Sequence, residues 1–395
     1  MGLKIIIIGG SVAGLTLANM LEKFDGMEYI LLEAYPSIAP QVDASIGLLP
    51  NGLRILEQLG TGYPCVWLDR KMLLQTLYDN LKYKDNVLPN KRVVGIETTE
   101  SGVTVYTKDG STYRGDILVG ADGVHSIARE EMWRIGEISR PEIFRQGEDT
   151  NKSAYVAISA PRNRVYWFMF VALRKTHHGS ANIPRFTKLD EAALAAAHAD
   201  DRMTEDMTFG QLYDSRITSA LVALEEIVLV GDSAHKVHPI TAQGGNGAIE
   251  SAAHLINALT KLPVSAQSPD FPGSPFTEET IEAALSTLHA SRSARAEKTM
   301  LSGRRTGSLL CLDFPFSKYL FRWLVPRLGD DIFLKEMLAY SVSGPRVEGL
   351  SVVERAHKTP FDDEVPPGAG TTSWDLGTWS SGTWILTIRS LMSPL

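Results

Sequence analysis

The stretch Lys4-Ile5-Ile6-Ile7-Ile8-Gly9-Gly10-Ser11-Val12-Ala13-Gly14 decides the fold. Four consecutive isoleucines bounded by glycine read as a strand buried on both faces, as in a parallel sheet. Residues 13–23 then have the apolar spacing of a helix, and residues 29–33 read as a second buried strand. Backbone amides at the start of such a helix, aligned with its dipole, suit a pyrophosphate. Gly9 allows the tight turn, and Gly14 lets the helix pack against the sheet. Glu33 lies about 20 residues further on, where a carboxylate binds ribose hydroxyls. The middle glycine of the fingerprint is replaced by Ser11, whose small side chain still permits close approach, with Gly10 adding slack. The unit reads as a dinucleotide site, and by itself does not distinguish one dinucleotide from another.

Bulk properties narrow the remaining classes. A chain of 395 residues points to two or three domains. Its 44% apolar and 22% charged content is ordinary for a soluble globular protein. A net charge of −7 argues against a nucleic-acid partner, which needs a basic surface. Cys65 and Cys311 are the only cysteines, too few for a disulfide framework or a zinc spacing, and no metal site is expected. That count fits a cytoplasmic location. The isoleucine run stops at Gly9-Gly10 with no cleavage-like region, so it is a strand rather than a secretion signal. Residues 309–328 are the nearest approach to a membrane segment. Asp313, Lys318, Arg322 and Arg327, with Pro315 and Pro326, limit them to weak association with a membrane surface at most.

Further along, Asn51 is placed to cap a helix that ends at Gly60, and Asp69 to cap another through Leu81. Residues 93–97, 103–108 and 111–113 read as an antiparallel meander turning at Asp109-Gly110. Residues 117–119 and 227–230 are short buried strands, and residues 165–171 alternate as a strand of a second sheet. Helices are expected at 192–199, from about Gly245 to Leu262, and at 278–302. The end of the chain from Pro366 reads as a loose tail.

Two motifs then give the dinucleotide site its identity. Asp116-Ile117-Leu118-Val119-Gly120-Ala121-Asp122-Gly123, with Ser126 and Arg129 trailing, resembles the Asp-Gly motif of flavoprotein hydroxylases. Ile227-Val228-Leu229-Val230-Gly231-Asp232 resembles their Gly-Asp motif, whose aspartate binds the ribityl chain. Gln243-Gly244-Gly245-Asn246-Gly247 opens a helix whose dipole suits negative charge on a reduced isoalloxazine. With all three motifs in this order, the chain is identified as similar to FAD-dependent monooxygenases of the aromatic-hydroxylase class. Within that class it resembles the fungal epoxidases of meroterpenoid and indole-diterpene pathways. Ala44-Ser45-Ile46-Gly47, Leu68-Asp69-Arg70, Tyr166-Trp167-Phe168 and Pro360-Phe361-Asp362-Asp363-Glu364 carry that closer likeness.

The resemblance implies a doubly wound α/β FAD domain, discontinuous in sequence (1–135 and 225–305). It also implies a β-rich substrate domain at 136–224, a helical region at 306–365 and the tail at 366–395. It implies cofactor contacts at Gly9, Gly14, Glu33, Gly47, Arg70, Asp122, Asp232, Gly244 and Gly245. With no second dinucleotide fingerprint visible, NADPH is expected as a transient reductant. The expected reaction is epoxidation of a prenyl alkene, with aromatic-ring hydroxylation on the same scaffold as the alternative. Compared with the family, the segments around Gly60–Tyr63, before Val165 and before Ile227 are short, which also leaves open an impaired relative that binds flavin. No catalytic side chain is assigned. Tyr155 and Tyr166 are candidates more in keeping with core positions. His235 and His238 lack metal partners and are read as solvent-facing or flavin-flanking.

Overall fold

The computed structural model describes residues 2–40, 45–61, 67–99, 102–139, 153–160, 164–171, 223–224, 227–235, 237, 241–262, 278–310, 340–353 and 360–365. β1 (Leu3–Ile8) is buried everywhere except at Lys4, so its isoleucines serve both faces of a sheet. All ten residues of α1 (Val12–Leu21) are buried as well. A helix apolar all round must be covered all round, and α1 is enclosed by the sheet and two further helices. β2 (Met27–Leu32) returns parallel to β1, with Met27 opposite Leu3 and Leu32 opposite Ile8.

The chain then leaves this sheet. β3 (Ser45–Gly47) leads to α2 (Pro50–Gln58), and β4 (Trp67–Asp69) pairs back on β3 before α3 (Arg70–Asp79) begins. β5 (Val87–Leu88) adds to the sheet edge beside β2. β6 (Val93–Thr99), β7 (Gly102–Thr107) and β8 (Thr112–Gly115) form a separate antiparallel meander. β9 (Ile117–Gly120) re-enters the main sheet on the other side of β1. After α4 (Ile127–Ser139), β10 (Ser153–Ala160) and β11 (Arg164–Val171) pair as an antiparallel hairpin outside the main sheet. β12 (Ala223–Leu224) and β13 (Ile227–Leu229) follow, and β13 joins the main sheet parallel to β9. The six-stranded order is β12-β13-β9-β1-β2-β5, with β1 at its centre. α5 (Gln243–Leu259) and α6 (Glu278–Leu310) follow.

Several boundaries differ from the sequence reading, for identifiable reasons. Pro50 occupies the first turn of α2 and Leu49 the cap position, so Asn51 is inside the helix instead of capping it. Proline is pre-set for that position, and the Asn51 amide is released for contacts elsewhere. Asp69 stands at the cap of α3 but makes no capping bond there, and the helix ends at Asp79. α5 starts at Gln243, which puts Gly244 and Gly245 in its first turn. α4 and α6 run unbroken past positions 135–136 and 305–306. The helix expected at 192–199, the tail from 366, His238, both cysteines and residues 311–328 lie outside the described residues. No helix among the described residues is long and apolar enough to cross a membrane.

A buried ionic cluster locks α5 in place. Glu250, fully buried, accepts two hydrogen bonds from Arg295, at 2.6 and 2.8 Å, and one from Asn51 of α2 at 2.6 Å. Arg292 lies 3.7 Å from the same carboxylate and donates to Ser251 Oγ and the Gly247 carbonyl. Burial pushes the Glu250 pKa up, but Arg295 and Arg292 outweigh it, and the carboxyl sits below its ordinary range. His254, one turn along α5, is pushed down from 6.5 to about 4 by burial and then by Arg292. Arg295 acts in the same direction, while Glu250 and Glu348 oppose it.

The unfolded chain takes up a proton at His254 that the fold refuses, so stability is fully present above 6.5 and falls as pH drops toward about 4. Urea unfolding near pH 7.5 and near pH 5 should therefore show a smaller acid loss for His254→Leu than for the unaltered chain. Equal losses would mean that His254 titrates normally.

Candidate functional site

In an open α/β sheet the functional crevice opens beyond the C-terminal ends of the strands, where the chain changes direction across the sheet. Here that point is β1, flanked by β2 on one side and β9 on the other. Four loops leave the same edge in the strand order β13, β9, β1, β2, and they carry Asp232, Asp122, Gly9 and Glu33 respectively. Three strand spacings of about 4.8 Å separate the ends of this row, roughly 14 Å in all.

Gly9 turns with φ +106, and its amide donates to the Leu32 carbonyl at 2.8 Å. A Cβ there would lie 2.7 Å from the Ala121 carbonyl carbon and 3.0 Å from Asp122 Cα, so only glycine lets the two loops meet. At Gly14 a Cβ would run into the Gly9 carbonyl. The Gly10 amide donates to Glu33 Oε2 at 2.6 Å, and the Tyr35 amide donates to Oε1 at 2.8 Å. Gly10, read from sequence only as slack, is therefore a direct partner of the buried Glu33 carboxylate.

Ser11 occupies the cap of α1 without capping it, and no acidic residue stands in the first turn. Its Oγ instead accepts a 2.6 Å hydrogen bond from Arg70 Nη2 at the start of α3. Burial lowers the Arg70 pKa from the ordinary arginine value, and the charges of Asp232 and Glu33 oppose that shift. The Ser11–Arg70 pair had no signal in the sequence, because 59 positions separate the two.

Asp122 Oδ2 accepts the amides of Ile127 and Ala128 at 2.8 and 3.4 Å, holding the start of α4. Its Oδ1 is buried without a hydrogen-bond partner, and burial raises the carboxyl's pKa. Arg129 joins this loop to the next by donating to the Ser233 carbonyl at 2.9 Å and the Val124 carbonyl at 2.6 Å. Asp232 lies on the short turn Gly231–Ser233, where Gly231 has φ +67 and faces Ala13 and Ala248. A Cβ at Gly231 would stand 3.2 Å from each of those methyl groups, so the turn is wedged between α1 and α5.

α5 begins after Ala242, a non-glycine residue at φ +53, and its first turn has neither a side-chain cap nor an acidic residue. Asn246 ties this start to the β3–β4 ribbon. Its amide donates to the Gly47 carbonyl at 2.9 Å, and its Oδ1 accepts the Leu49 amide at 2.9 Å. Gly47 faces the Trp67 ring, 2.8 Å from where its Cβ would be, and a Cβ on Gly245 would run into Ile46. Gly244 has open space on its side-chain face, where the nearest atom lies 3.9 Å away.

Of the catalytic candidates Tyr155 and Tyr166, only the strand positions are described. Tyr155 and Tyr166 lie on the β10–β11 hairpin, opposite Met169 and Ile158, at register positions of opposite parity. His235 is buried rather than solvent-facing. No metal-binding cluster occurs among the described residues.

Two uncapped, acid-free helix starts, a buried carboxylate oxygen without a partner and backbone cradles that a Cβ would fill are what a bound dinucleotide needs. Fold and site together define a dinucleotide-binding α/β protein of the flavoprotein type. A family model described as FAD binding domain matches residues 142–268. The FAD-dependent monooxygenase spyC of Aspergillus fumigatus is 34% identical, covering 83% of this chain and 84% of that protein. The FAD-dependent monooxygenase prhF of Penicillium brasilianum is 31% identical, covering 94% and 90%. The chain belongs to the FAD-dependent monooxygenases and binds FAD. Among solved structures, a single-substitution variant of Klebsiella pneumoniae HpxO complexed with FAD is 20% identical with a TM-score of 0.64, covering 87% of this chain and 99% of that one, a likeness of fold. The alignment with spyC runs over 403 positions, more than the 395 residues of this chain, so that relative carries residues lacking here.

Arg129→Ala removes two charge-assisted hydrogen bonds, one within the Asp-Gly loop and one across to the Gly-Asp turn, and should cost about 2–4 kcal/mol of stability. Arg129→Lys should recover little, because an ammonium cannot reproduce the guanidinium fork. Urea unfolding of the three proteins measures this, and an unchanged midpoint in Arg129→Ala would show that the tie is dispensable.

Proposed function

We propose that this monooxygenase uses NADPH and dioxygen to epoxidise an alkene on a prenylated small molecule of fungal secondary metabolism. The observation that carries the cofactor half of this reading is the row Asp232–Asp122–Gly9–Glu33 along one sheet edge. In this reading Glu33 holds the ribose hydroxyls, while the open start of α1 and Arg70 hold the pyrophosphate. Asp122 and Asp232 flank the path toward the ribityl chain. The start of α5, with Gly244 and Gly245 in its first turn and Gly47 held beside it by Asn246, faces the isoalloxazine. Its dipole and the amides beyond Gln243, whose own amide donates to Thr241 Oγ1, stabilise negative charge there without reorganisation.

FAD supplies the redox chemistry that activates dioxygen. The protein's part is to hold the cofactor, exclude water and aim the substrate. NADPH acts as a transient reductant, in keeping with a single dinucleotide fingerprint in the sequence. The prenyl substrate rests on the resemblance to fungal epoxidases carried by residues such as Leu68-Asp69-Arg70 and Pro360-Phe361-Asp362-Asp363-Glu364.

Asp232→Ala and Glu33→Ala should each lower FAD occupancy about tenfold, the equivalent of one lost charge-assisted hydrogen bond. Full flavin content in both purified variants would place the cofactor elsewhere.

The product should be one oxygen atom heavier than the substrate, with that atom drawn from labelled dioxygen. Label arriving from water, or a phenol formed on an aromatic ring, would overturn the epoxidase reading. The same assay reads coupling. A chain with fewer residues than its relatives to close the substrate pocket should divert much of the NADPH it consumes to hydrogen peroxide.

A further inference from the structure

We propose that Ser11 is a positioning residue for cofactor binding. Its hydroxyl holds Arg70 over the open start of α1, and Arg70 in turn keeps that hydroxyl from capping the helix. The inference rests on the reading that the FAD pyrophosphate lies at α1.

Serine is among the strongest helix caps, and its oxygen ordinarily accepts the second or third helical amide, here Ala13 or Gly14. The Ser11 backbone, at φ −99 and ψ −161, is extended as a capping serine's is, yet the capping bond is absent. The oxygen is turned instead to Arg70 Nη2, 2.6 Å away. A self-capped Ser11 would occupy an amide that an incoming phosphate needs, and the bond to Arg70 prevents this.

Arg70 benefits reciprocally. It is delivered from the start of α3, on the far side of the β3–β4 ribbon in sequence, and would otherwise have many rotamers open to it. Anchored on Ser11, its guanidinium is held at the start of α1, within the influence of both Glu33 and Asp232 at the two ends of the loop row. An anion placed there meets a fixed cation and open amides together. The fingerprint glycine at position 11 would supply neither the anchor nor the competing cap, so the serine and the arginine work as a unit.

The test is a double-mutant cycle read as FAD retention. Ser11→Ala and Ser11→Gly are made in the unaltered chain and in Arg70→Met. The holoenzymes are diluted, free FAD is separated by ultrafiltration, and its visible absorbance gives an apparent Kd. Either Ser11 substitution should weaken FAD binding roughly tenfold in the unaltered chain. In Arg70→Met, where the freed hydroxyl caps α1, Ser11→Ala should leave binding unchanged or tighten it. That loss or reversal of the effect is one that a merely structural serine would not give. Should Ser11→Ala fold poorly, Ser11→Gly, which restores the ordinary fingerprint residue, carries the comparison. Ser11→Gly retaining FAD as tightly as the unaltered chain, or Ser11 and Arg70 effects that simply add, would overturn the inference while leaving FAD binding intact. An unaltered chain that purifies without flavin would overturn both the inference and the reading beneath it.

Discussion

The turn at Gly9 brings the backbone leaving β1 against the backbone leaving β9 more closely than any side chain would allow. The rest of the site depends on that contact. It places the start of α1 next to Asp122, and it lets Gly14 settle over the Gly9 carbonyl so that α1 lies flat on the sheet. Because α1 is buried at every residue, its direction is not free to adjust. Small displacements at Gly9 would therefore be felt through the core and not absorbed at the surface.

A second constraint acts from the opposite side, on α5. This helix presents its glycine-rich start to the site, and the Gly231 turn is wedged between it and α1. Its position is held by a polar core that includes Glu250, Asn51, Arg292 and Arg295. Burying such charges is costly unless they are paired; hydrogen bonds on both Glu250 oxygens offset that cost, while Arg292 Nη1 and Asn51 Oδ1 are left without a hydrogen-bond partner. Asn51 of α2 reaches both the start and the buried middle of α5 through Gln243 and Glu250, and Asn246 ties the start to the β3–β4 ribbon as well. Arg54 of α2 extends the same arrangement outward, pairing with Asp363 at 2.8 Å and stacking on Phe361. The Pro360–Glu364 motif is thereby held to the helix behind the site.

Much of the fold was legible because parallel strands buried on both faces leave an unambiguous mark. Ile5–Ile8 and Ile117–Val119 became adjacent sheet strands in register, and the Asp109-Gly110 turn closes the meander. Helix starts were less legible. Asn51 looked like a cap because capping is its commonest local use, whereas its amide is spent on Gln243 and Glu250, contacts almost two hundred positions away. Gly10 looked like slack because its function lies in its amide, which carries no side-chain signature.

The sequence by itself determined the dinucleotide fingerprint, the order of the three flavoprotein motifs and the short strands that precede each loop. These are local patterns, in which residue type and spacing suffice to specify a turn, a buried strand or a helix. Only the tertiary structure decided that Arg70 meets Ser11 and that Arg129 joins the Asp-Gly loop to the Gly-Asp loop. Those pairings join residues far apart in the chain, and they exist because the crossover order of a parallel sheet lines up loops that the sequence keeps separate.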